Sequence, residues 1–126
     1  MDSLFLRRVL LADALVSGAA GIVMIAGASL LAPILQLPSA LLIIAGFALI
    51  PWMLSLLVLS RALLMPRNAV RGVVAVNLAW VLGSIAVLLT FSPSLLGYAF
   101  VIAQAVAVGV FAELQIVALK REPARA

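Results

Sequence analysis

Across residues 9–35 the chain carries a single ionisable side chain, Asp13, in a run that is otherwise apolar or small. A helix crosses a bilayer with roughly 20 mostly apolar residues, so this run predicts a membrane span. Three more follow. The second covers residues 39–60 and contains Pro51, where a missing backbone hydrogen bond predicts a kink. The third covers 70–91. The fourth covers 95–119 and stops at Lys120-Arg121. Between the first two, Pro33 and Pro38 bracket a short apolar turn. Ser92-Pro93-Ser94 joins the last two, with Ser92 or Ser94 placed to cap the fourth helix. The tail from Glu122 is short, polar and expected to fray. Nothing is left over for a soluble domain, and the chain reads as one unit over residues 1–126.

Composition agrees. The chain is 67% hydrophobic and 10% charged, against about half and a quarter in soluble domains. That excludes an ordinary soluble globule, and the wealth of aliphatic residues excludes disorder. The chain has neither Cys nor His, which removes disulfides, thiol nucleophiles, imidazole ligands and Ser-His-Asp triads. Arg7-Arg8 before an apolar run imitates a twin-arginine leader, but Asp13 and the length of the run argue against a signal peptide.

All eight basic residues are Arg7, Arg8, Arg61, Arg67, Arg71, Lys120, Arg121 and Arg125. Each lies before the first span, between the second and third, or after the fourth. The other two turns have none. The positive-inside rule then predicts both termini and the central loop in the cytoplasm. The expected fold is all-α: a polytopic membrane protein with four transmembrane helices in an antiparallel bundle, in a bacterial inner membrane. The pI of 11.3 reflects a collar facing anionic headgroups rather than a nucleic-acid surface. A parallel duplication is faintly visible in Pro38-Ser39 against Pro93-Ser94 and Asp13 against Asn77.

Intramembrane ionisable groups are costly, and the spans hold two, Asp13 and Glu113, with the amides Asn77, Gln104 and Gln115. From the flanking basic residues, Asp13, Asn77 and Glu113 lie about 7 to 11 Å inside the cytoplasmic edge. They are therefore expected to face inward and meet as one layer, near Arg8 or Arg71, with Trp52 and Ser55 in reach from the second helix. Ser17 and Trp80 share faces with Asp13 and Asn77 and complete the candidate polar site. Gly18 and Gly21 lie beside Asp13, and Gly83 beside Trp80; such small residues let membrane helices approach closely. Gln104 and Gln115, eleven residues apart, fall on the side of the fourth helix away from Glu113 and are expected to meet a partner. The polar layer has a plain structural reading as interhelical hydrogen bonds fixing register, and a functional one as a site. Trp80 is as readily packing as ligand contact, and Tyr98 reads as an outer-interface anchor.

Enzymatic chemistry is not expected. The serines have no base, two carboxylates without imidazole or thiolate make no metal site, and the glycines follow no strand, so no cofactor is expected. Two classes remain. One is a structural or accessory helix-bundle subunit that forms a homo-oligomer or joins another membrane protein. The other is a small proton- or cation-coupled transporter using Asp13 or Glu113, of unspecified ligand.

Asp13 early in the first of four short spans, with Trp80 in the third, resembles the small multidrug resistance transporters. That likeness implies an acidic binding residue at Asp13. The single-sided basic residues depart from the weak charge bias common in that family, and Asp13 is not its usual acidic residue. A closer resemblance, spread over most of the chain, is to small uncharacterised bacterial four-helix membrane proteins. It rests on Leu-Leu-Ala-Asp-Ala-Leu-Val-Ser-Gly at 10–18, Asn-Leu-Ala-Trp at 77–80 and Phe-Ala-Glu-Leu-Gln at 111–115. It implies the architecture and no activity.

Overall fold

The computed structural model describes residues 4–121. The described chain is helical: α1 Leu4–Ala26, α2 Ala28–Leu35, α3 Ser39–Ser60, α4 Arg67–Thr90 and α5 Leu95–Arg121. α1, α3, α4 and α5 are each long and apolar enough to cross a membrane, as expected of a multi-pass membrane protein. The tail from Glu122, with Arg125, lies outside the described residues.

The first span differs most from the sequence expectation. Helix starts at Leu4 rather than Val9, and the first run is broken at Gly27 into α1 and α2. Glycine is the weakest ordinary helix former, and here it closes α1 through its N–H to Val23 O at 2.8 Å, while Leu31 N–H restarts the ladder on Gly27 O at 2.8 Å. α3 runs from Ser39 to Ser60 with Pro51 inside it, as the sequence bounds predict.

At the end of α2, Gln36 adopts a left-handed conformation (φ 54°) and its N–H returns to Ala32 O, the usual way to satisfy a last-turn carbonyl. The next turn locks onto this one. Ser94 Oγ donates to Ile34 O at 2.7 Å, Ser94 N–H donates to Leu35 O at 3.0 Å, and Gly97 N–H donates to Ser94 Oγ at 3.1 Å. Ser94 is therefore the residue that caps α5. Gly97 must be glycine, because a Cβ there would collide with Leu35 O and Pro93. At the other end, Arg7 Nη1 donates to Ser60 O at 2.9 Å and Arg67 Nη2 to Leu119 O at 2.6 Å. Both guanidinium groups sit on last-turn carbonyls, where a helix dipole favours cations.

α1 packs along α3 and α4 along α5, with α1 and α2 also touching α5. The α1–α3 seam is made by small residues. Gly18 lies under Met53, and Gly21 and Gly46 pack backbone to backbone: a Cβ on either would stand 3.0 or 2.9 Å from the other's carbonyl oxygen. The backbones of α3 and α4, by contrast, stand too far apart for close helix packing, and they meet only through side chains in the two apolar clusters.

The buried core has two apolar clusters. One, near the arginines, includes Leu6, Leu10, Leu56, Met65, Val70 and Ala118. The other includes Met24, Ala28, Leu35, Leu42 and Val101. Along α1, α4 and α5 alike, the polar side chains fall at or inside the first cluster's inner edge, towards the second.

Candidate functional site

That polar layer centres on the Asp13 carboxylate, which is 1% exposed. Asp13 Oδ2 accepts from Asn77 Nδ2 and from Gln115 Nε2, each at 2.9 Å, and Oδ1 accepts from Ser17 Oγ at 3.3 Å. Asn77 Nδ2 also donates to Gln115 Oε1 at 3.0 Å. Three helices thus meet at one carboxyl group. Helix spacing explains the placement: Ser17 is one turn from Asp13 on α1, so both point the same way. A carboxylate only accepts, and this fixes both amides with their NH₂ groups towards Asp13.

A second, smaller network lies nearer the α2 end. Trp80 Nε1 donates to Gln104 Oε1 at 2.6 Å, and Gln104 Nε2 donates to Ser84 Oγ at 2.7 Å and to Val101 O at 3.0 Å. Ser84 Oγ in turn donates to Trp80 O at 2.8 Å. Gln104 thereby joins α5 to α4, with both amide hydrogens used.

Asp13, Ser17 and Asn77 therefore come together, as the sequence predicts, and Trp80 sits one turn further along α4. Glu113 does not join them. It faces outward and is exposed, and no described residue bonds to it. Gln115 takes the inward place, fully buried. The expectation that Gln104 and Gln115 meet an outside partner is likewise corrected, since both bond within the bundle. The reason is angular. Residues 113 and 115 are about 200° apart on a helix of 3.6 residues per turn, so only one of them can enter. The recurrence of amides at 104 and 115 marked the inner face; equal depth, which favoured Glu113, says nothing about facing. Nor do the arginines reach the layer: Arg71 Nη1 approaches Asn68 Oδ1 at 3.4 Å. Of the glycines, Gly18 and Gly21 line a real helix contact, whereas a Cβ on Gly83 would meet nothing within 4 Å. Gly46, the partner of Gly21, has no polar neighbour in sequence and was not singled out.

Trp52 also matters. With Ser17, Val76, Asn77, Trp80 and Val108 it lines a chamber of about 160 Å³ beside the Asp13 layer. A larger cleft of about 390 Å³ adjoins it at Val76 and Trp80 and extends between α3 and α4 towards Leu37 and Val87. Ser55 points elsewhere: it is exposed and donates to Pro51 O at 2.9 Å. Among the described residues, no three acidic side chains gather as a metal site would require.

No protein-family model matches the chain, and neither the curated proteins nor the solved structures contain a significant match to it. The two likenesses drawn above rest on their quoted residues alone.

Proposed function

We propose that this protein is a structural or accessory subunit of the bacterial inner membrane, an antiparallel four-helix bundle with both termini in the cytoplasm, which associates with itself or with another membrane protein. The contrast between its two intramembrane carboxyl groups carries this reading. Asp13 has three donors and almost no exposure, the pattern of a group that fixes helix register. Glu113 faces outward with no described partner, where lipid alone would leave it poorly solvated. A neighbouring helix that supplies a donor or a cation relieves that cost. The meeting of Arg7 with the end of α3, and of Arg67 with the end of α5, supports the antiparallel arrangement. The single-sided arginines support the orientation.

A small proton- or cation-coupled transporter is the second reading, favoured by one observation: the chamber beside Asp13 is bordered by Ser17 and Asn77, two of its ligands. Asp13→Asn separates the two. The subunit reading expects lower thermal stability in detergent and no proton or cation uptake by proteoliposomes of either form. Uptake by the wild type that vanishes in a variant of unchanged stability establishes transport instead.

A further inference from the structure

The chamber lies well inside the length of α4: Asn77 is ten residues into it, about 15 Å along a helix of about 36 Å. Its polar atoms are unevenly satisfied. Asn77 is 2% exposed and spends its NH₂ group on Asp13 and Gln115, so the polar atom left to the chamber is Oδ1, which no described residue approaches as a donor. Trp52, whose indole N–H finds no acceptor among the described residues, also lines this chamber. An unbonded acceptor and an unbonded donor are thus carried by two residues that line the chamber, and such groups are disfavoured when they leave water without a partner. The adjoining cleft is different. Met24, Leu42, Ala45, Val87 and Phe100 line it, and its polar members Trp80, Gln104 and Ser84 are already bonded to one another. The backbones of α3 and α4 stand apart along this cleft, which leaves room for a tail to enter between them.

We infer that the chamber and cleft bind a single-chain amphiphile with a neutral hydroxyl head, the hydroxyl in the chamber and the hydrocarbon tail in the cleft. A hydroxyl both donates and accepts at one atom, so it can give its proton to Asn77 Oδ1 and receive the Trp52 N–H. An ammonium head has no acceptor for Trp52. A carboxylate has no donor for Asn77 and is repelled by Asp13. The cleft alone falls in the range of ordinary ligand pockets, and a tail meets no unbonded polar group along it. This site is independent of whether the protein is an accessory subunit.

The chain has two tryptophans, and both border the chamber, so intrinsic fluorescence in nanodiscs reports on it directly. A bromine-labelled long-chain alcohol is expected to quench saturably and to be displaced by the unlabelled alcohol, but not by an alkane, fatty acid or primary amine of equal length. Trp52→Phe removes the N–H together with part of the ring, leaves Trp80 as reporter, and is expected to weaken binding by at least the roughly 2- to 12-fold that one hydrogen bond is worth. Gly83→Leu adds bulk at a cleft position where a Cβ meets nothing, and is expected to abolish saturable quenching with the thermal transition retained. Quenching that rises only in proportion to probe in the bilayer overturns the proposal. So does equal displacement by alkane, or an unchanged affinity in Trp52→Phe. Stronger, pH-dependent displacement by the amine overturns it in favour of a cation site at Asp13.

Discussion

Gln115 Nε2 stands 2.9 Å from Asp13 Oδ2, tying α5 to α1 across 102 residues of sequence through an oxygen that also holds Asn77. Removing one donor leaves a buried carboxyl group short of a partner, which costs more than an average interhelical hydrogen bond gains. Gln115→Leu is therefore expected to lower stability by about 1 to 3 kcal/mol. In the Asp13→Leu background the same change is expected to cost much less. Unfolding in mixed micelles of the two single variants and the double variant measures this coupling; additive losses would mean that the contact contributes nothing.

The glycines divide by what surrounds them. Gly83→Ala fills open space and gains helix propensity, so stability should rise by up to about 1 kcal/mol. Gly21→Ala pushes a methyl group against Gly46 O and should destabilise, and Gly18→Leu, against Met53, more so. Val23→Leu, on an exposed position, serves as the neutral control. Thermal unfolding in detergent ranks the four, and equal tolerance would contradict the α1–α3 seam.

The turn clamp gives a third test. Ser94→Ala loses the α5 cap and the bond to Ile34 O together, for an expected loss of about 1 to 2 kcal/mol. Ser92→Ala, on an exposed residue, should be silent. Hydrogen exchange at the start of α5 is the local readout: faster exchange in the Ser94 variant alone is expected.

Topology is tested by reporters. Fusions after Arg125 or within 61–71 should report cytoplasm, and an insertion near Gln36 the exterior. A mixed result at any site would mean that the arginines do not set orientation.

Much of this architecture was legible because hydrophobic runs and basic flanks act through length and charge alone. The bounds of α3 and the start of α5 come directly from Pro38-Ser39 and Ser94. Asp13, Ser17 and Asn77 were legible as an inward group because their spacing places them beside small residues. Facing on α5 was not. An isolated acidic residue and an isolated amide look equally in need of burial, and only the donors opposite decide between them; Asp13, an acceptor, selects the amide Gln115. Gly46 escaped notice for a related reason, since close approach depends on which helices become neighbours, and here α3 meets α1 but stands apart from α4.

The central claim is that Asp13 holds the fold while Glu113 faces a partner, and the particle mass of Glu113→Leu in mild detergent tests it most directly. Wild-type protein is expected to run as an assembly heavier than the 13.1 kDa chain, and Glu113→Leu as the single chain with its thermal transition unchanged. A wild-type particle of one chain, or an assembly that survives Glu113→Leu intact, would contradict the account.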